Sequence, residues 1–122
     1  MTVVGTLVAE SMRDDAVVRD LRLELRAVVR TRAGDPTVGQ PLLWTMIELA
    51  APDDVFDDLV AQLSDAIRTG PWYCALRTEQ EVAVVFAGRS FRYRRGDGAA
   101  RAEAERYARA SGVPDTQTDW PD

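Results

Sequence analysis

The sequence predicts an α+β domain, with an antiparallel sheet of five or six strands and two helices packed on one face. Three observations carry that prediction. An apolar stripe at helical spacing runs through residues 53–69, several short stretches alternate apolar and other side chains at period two, and Gly- or Pro-bearing turns separate them. The resulting order is strand, strand, strand, helix, strand, strand, strand, helix.

Each element has its own warrant. Val3 to Ala9 is the first strand candidate. Residues 21–32 fit two patterns: Val17, Leu21, Leu25 and Val28 match a helical face, while Leu21, Leu23, Leu25, Ala27 and Val29 alternate strictly with Arg22, Glu24, Arg26 and Arg30. The longer unbroken match favours a strand, preceded by a helical turn at Asp14 to Arg19. Gly34-Asp35-Pro36 opens a loop, and Leu42 to Ala50 is a mostly apolar run suited to an interior strand.

The first helix places Phe56, Leu59, Val60, Leu63 and Ile67 on one stripe. Asp53 or Asp54 is its expected cap, Asp57 and Asp58 complement its dipole, and Gly70-Pro71 stops it. Trp72 to Arg77 is a strand leading into a β-hairpin over residues 81–95, with Gly88 in its turn. The second helix, Ala99 to Ser111, has a narrow face of Ala100, Ala104, Tyr107 and Ala108, and a charged stripe of Arg101, Glu105 and Arg109.

The chain has 122 residues, 46% hydrophobic, with a formal charge of -5. That length suits a single domain over residues 1–122, burying roughly two-thirds of the unfolded chain's surface. One cysteine excludes an intramolecular disulfide and suits a reducing, cytoplasmic setting. No secretory pattern opens the sequence, and no apolar run approaches the roughly 20 residues of a membrane span.

Histidine, lysine and asparagine are absent, so all 15 basic residues are arginine. This excludes Ser-His-Asp and Cys-His nucleophiles, a Schiff-base lysine, a Gly-Lys-Ser/Thr phosphate loop and any zinc site built from Cys and His. The expectation is a non-enzymatic domain with no cofactor and no metal.

Three stretches together resemble a family of small bacterial proteins without a known activity. They are Val8-Ala9-Glu10-Ser11 with Met12-Arg13-Asp14, Gly70-Pro71-Trp72-Tyr73 running into Val84-Val85-Phe86, and the tail from Tyr107 through Ser111-Gly112-Val113-Pro114 to Asp119-Trp120-Pro121. The resemblance implies a compact bacterial domain and no particular reaction. Where the family often carries a histidine after the Trp-Tyr pair, this chain has Cys74-Ala75-Leu76.

Several residues are candidates for function, each with a plainer explanation beside it. Arg22, Arg26, Arg30 and Arg32 would project from one face of a strand, and Arg92 and Arg94 from one face of the hairpin, with Arg89 and Arg95 nearby. Were those strands neighbours, they would form a surface for phosphates or RNA. Against this, Phe91 and Tyr93 fall on the other face, the chain is acidic overall, and a solvated sheet face explains the pattern as well. The cluster Asp53, Asp54, Asp57 and Asp58 lacks a calcium-loop pattern and is accounted for by helix capping.

Glu10 and Glu48 could form an acid–base pair on a small polar substrate if the fold brought them together, but salt bridges to arginine explain them equally. Trp72, Tyr73 and Trp120 would either close the edge of the core or present a binding surface. Cys74, with no activating base, reads as a small apolar side chain. The leading expectation is therefore a binding domain that self-associates as a homodimer, with a protein or small ligand as further partner. RNA or phosphate binding and carboxylate catalysis are the alternatives, and no membrane partner is expected.

Overall fold

In the computed structural model, which describes residues 1–121, six strands form one antiparallel sheet in the order β2-β3-β1-β4-β5-β6. They are β1 (Thr2–Val8), β2 (Glu24–Arg32), β3 (Leu43–Pro52), β4 (Cys74–Arg77), β5 (Glu81–Phe86) and β6 (Arg89–Arg94). Helix α1 (Phe56–Ala66) follows β3, and α2 (Gly98–Ala110) follows β6. The α+β class and the six strands agree with the sequence reading. No helix is long and apolar enough to cross a membrane among the described residues.

The placement of the helices differs from expectation: they cover opposite faces. Leu59 and Leu63 of α1 pack with Val3, Leu7, Leu76, Ala83 and Val85. Ala104 and Ala108 of α2 pack instead with Val82, Val84, Phe86 and Tyr93. Successive β5 residues point to opposite faces, so the all-buried run Val82–Phe86 is explained by a helix on each side. The small side chains of α2 let it lie close to a sheet, but they do not encode which face it takes.

The covering is uneven, and this positions the candidate site. Only the β5–β6 end of the second face lies under α2. Over β1, β3 and β4 the same face presents Thr6, Glu48 and Ala75, which are directly paired across the three strands. At Gly5 a Cβ would lie 2.6 Å from the Leu76 Cδ2 and 2.7 Å from the Ala75 carbonyl oxygen, so only glycine admits this approach of β1 to β4.

Local details depart from the sequence reading where side chains found distant partners. Asp53 and Asp54 do not cap α1 but lie in a 3-10 turn before it, and no side chain caps the helix itself. Asp53 faces the N-terminal ammonium at 3.8 Å and Asp54 binds Arg22 at 2.7 Å. The segment around Asp14–Arg19 holds a turn rather than a helical turn. Helix α2 is capped by Asp97, whose carboxylate accepts from the Ala100 N–H at 3.1 Å. Arg101 pairs with Glu105 at 3.7 Å, whereas Arg109 reaches Asp115 at 3.8 Å.

Candidate functional site

After α2, Gly112 turns the chain back and the segment from Val113 to Pro121 crosses the face that α2 leaves open. Side-chain hydrogen bonds latch it there. The Gln40 and Gln117 side-chain amides bond reciprocally at 3.0 and 2.9 Å, and Gln117 also donates to the Asp35 carbonyl at 2.7 Å. Thr116 Oγ1 bonds Asp35 Oδ2 at 2.6 Å. The Tyr73 hydroxyl donates to the Gln117 carbonyl and lies 3.4 Å from Asp119 Oδ1. Finally, Trp120 buries its ring and donates from Nε1 to the Tyr93 hydroxyl at 2.8 Å.

Beneath this segment lies a cleft of about 340 Å³. Its floor is the sheet face at Thr6, Met46, Ala75 and Arg77; its walls are Trp44, Trp72, Tyr73 and Trp120. Trp44 and Trp72 have ring centroids 5.5 Å apart, and Tyr73 meets Trp120 edge-on at 5.0 Å. Burial holds the Tyr73 phenol far above its usual pKa, with Asp119 pushing the same way, so it stays a neutral hydrogen-bond donor. The cleft carries two charged side chains, the Arg77 guanidinium on the floor and the Asp119 carboxylate beside Tyr73. A mostly apolar cavity of this size, with aromatic walls and a few polar groups, is suited to enclosing a small flat molecule.

Trp72, Tyr73 and Trp120 thus meet around one cavity, and they close the core as well. Trp72 belongs to the α1-side cluster and Trp120 to the α2-side cluster. Trp44, Arg77 and Gln117 also line the cavity and Gln40 holds Gln117 in place; the sequence reading missed all four. Only Trp44 had a local signal, as an aromatic in an otherwise aliphatic strand; the Gln40–Gln117 pair joins positions 77 residues apart.

The arginines do not form one surface. Strands β2 and β6 are the two opposite edges of the sheet, about 24 Å apart at the usual spacing between strands. Three of these side chains are also paired with acids. Arg22 binds Asp54, Arg26 lies 3.6 Å from Glu24, and Arg92 binds both Glu81, at 3.0 Å, and Asp57. Arg92 also sits over the Phe56 ring at 4.0 Å. Arg94 is exposed on the far edge strand. The expected single arginine face of β2 is broken as well. A register shift makes Arg26 an extra residue between Leu25 and Ala27, and Arg22 lies before the strand.

Glu10 and Glu48 are on opposite faces, so the fold does not assemble an acid–base pair from them. The Glu10 carboxylate accepts from the Thr45 N–H at 2.6 Å and from Thr45 Oγ1 at 2.9 Å. Glu48 is three residues further along β3 and therefore points the other way, beside Thr6. Desolvation raises the Glu10 pKa, but the Thr45 hydrogen bonds and the Arg30 charge outweigh it and leave the pKa below its ordinary value. Glu10 borders a second hollow with Arg68, Gln40 and Trp72, where its carboxylate is already committed to Thr45.

The Cys74 thiol is fully buried, its Sγ 3.4 Å from the Thr6 carbonyl oxygen, and desolvation pushes its pKa up to about 12. Among the described residues, no group of three or more Cys, Asp or Glu side chains could hold a metal ion. No family model, curated protein or solved structure matches the chain.

Proposed function

We propose that this chain is a binding domain whose site is the cleft between the open sheet face and the latched Val113–Pro121 segment. The ligand class is a small, flat, largely apolar molecule bearing an anionic group. What carries the proposal is the convergence of Trp44, Trp72, Tyr73 and Trp120 on one cavity of about 340 Å³. The half-buried Trp44 and Tyr73 rings supply stacking surface at little cost in side-chain entropy, backed by the buried Trp72 and Trp120. Arg77 supplies the handle for an anion: it shares the floor with Thr6 and Ala75, and has no ion pair among the described residues.

Three probes that share one ring system and differ in charge test this: indole, indole-3-acetate and tryptamine. Indole-3-acetate is expected to bind with a dissociation constant of roughly 0.1–1 mM, in keeping with small aromatic fragments. It should shift the amide resonances of Thr6, Ala75, Arg77 and Gln117, and bind several-fold more tightly than indole. Arg77→Gln should remove that preference and leave indole binding unchanged. Tighter binding of tryptamine would assign the charged handle to Asp119 instead, and no binding by any of the three at millimolar concentration would refute the site.

A further inference from the structure

A second surface stands out at the outer edge of β2, one strand beyond the cleft residues Trp44 and Met46 of β3. As the end strand of the sheet, β2 has β3 on one side and, among the described residues, no strand on the other. Its nine residues leave a row of backbone N–H and C=O groups without strand partners. Every one of them except Ala27 is exposed. The exposed side chains are apolar on both faces of the sheet. Leu25 (64% exposed) and Val28 (54%) accompany Leu49 and Ile47, while Val29 (43%) accompanies Met46 on the reverse. β2 thus offers exposed apolar side chains on both faces, set between arginines.

The charges on β2 say what kind of strand would complete it. Arg26, Arg30 and Arg32 stand against a single acid, Glu24. Arg26 has Glu24 at 3.6 Å, and Arg30 lies within the field of Glu10, but Arg32 has no ion pair among the described residues. Antiparallel pairing of β2 with its own copy would bring two arginine-rich edges together. An acidic strand meets the opposite sign, and the rest of this acidic chain would repel it from other surfaces.

We infer that β2 is a docking edge for an extended acidic segment with alternating apolar residues, taken up by strand addition from another protein. Main-chain hydrogen bonds would extend the sheet by one strand, and side chains at every second position would contact Val28 on one face or Val29 on the other. The bulge at Arg26 limits the regular docking stretch to Ala27–Arg32.

The test uses the full chain, an end-blocked heptapeptide of alternating aspartate and valine, and its lysine–valine counterpart. The aspartate peptide should shift amide resonances along Ala27–Arg32 and slow their hydrogen exchange, with affinity falling as salt rises. The lysine peptide should not. Arg30→Glu combined with Arg32→Glu should weaken aspartate-peptide binding at least about tenfold, as loss of steering and pairing charges would. Arg32→Glu alone, which leaves the neighbourhood of Glu10 intact, should weaken it less.

Four results would overturn the inference. Equal binding of both peptides would remove the charge argument, and no perturbation of β2 at millimolar peptide would remove the edge. A concentration-dependent dimer by light scattering, with β2 amides already protected without peptide, would assign the edge to a second copy. Displacement of the aspartate peptide by an eight-nucleotide uridine RNA would likewise show a polyanion surface rather than a strand-docking edge.

Discussion

Replacing Trp120 by alanine should detach the roof of the cleft. The indole is 4% exposed and packs edge-on against Tyr73 at 5.0 Å, and its Nε1–H donates to the Tyr93 hydroxyl at 2.8 Å. The Arg101 guanidinium lies 5.1 Å from its ring centroid. Truncating a buried Trp costs about 3–5 kcal/mol. The lower end applies here because the uncovered Tyr93 hydroxyl can bond to water in place of the lost indole donor.

About 3 kcal/mol is therefore expected, or a fall of roughly 10–20 °C in Tm for a domain of this size. Trp120→Phe keeps most of the ring area and loses the donor, for about 1 kcal/mol. Urea unfolding followed by circular dichroism measures both without depending on the fluorescence of the removed residue. In Trp120→Ala, the amides of Thr116–Asp119 should also lose protection from hydrogen exchange. A loss below 1 kcal/mol in the alanine variant, with that protection unchanged, would refute the latch.

Three further outcomes follow from the same geometry. Gly5→Ala should destabilise by about 1–3 kcal/mol, because the Ala75 carbonyl oxygen, 2.7 Å from the new Cβ, is backbone and yields only if β1 and β4 separate; denaturant midpoints measure this. Glu10→Gln should lower stability modestly at neutral pH. Since folding depresses the Glu10 pKa, that carboxylate's contribution is present above the unfolded value of 4.5 and is lost as pH falls through the folded value. The gap between wild type and Glu10→Gln should therefore close in acid, and a gap that widened there would reverse the assignment. Cys74 should resist thiol reagents in the native state. Its raised pKa contributes stability that is complete below about 9 and declines towards pH 12, so alkaline unfolding should be milder in Cys74→Ala than in wild type once the neutral-pH cost of the substitution is subtracted.

Much of the fold was legible because it is local. The β5–β6 hairpin is written in alternation across Gly88, and α1 in one stripe ending before Gly70-Pro71. Phe91 and Tyr93 lie opposite Arg92, as alternation requires. Less legible were the features that depend on partners distant in sequence. Helix α2 has a small-residue face that suits either side of a sheet, and only the assembled fold sends it opposite α1. The alternation over residues 21–32 located a strand but could not reveal the extra residue at Arg26, since a bulge exists only relative to a neighbouring strand.

The site divides in the same way. Trp72, Tyr73 and Trp120 were visible as large rings beside turns, and they do converge. Their convergence depends on the Gln40–Gln117 and Asp35–Thr116 bonds, and these polar pairs have no signature in a single chain. The arginines were read as a group on the assumption that two strands lie together. Strand order is set by long-range pairing, and it puts those strands at opposite edges.

The most direct test of the account is titration of the isotopically labelled chain with indole-3-acetate, with Arg77→Gln in parallel. The account predicts saturable shifts confined to the cleft residues Thr6, Ala75, Arg77 and Gln117, with binding several-fold weaker in the variant. Shifts scattered over the surface, or affinity unchanged in Arg77→Gln, would contradict it.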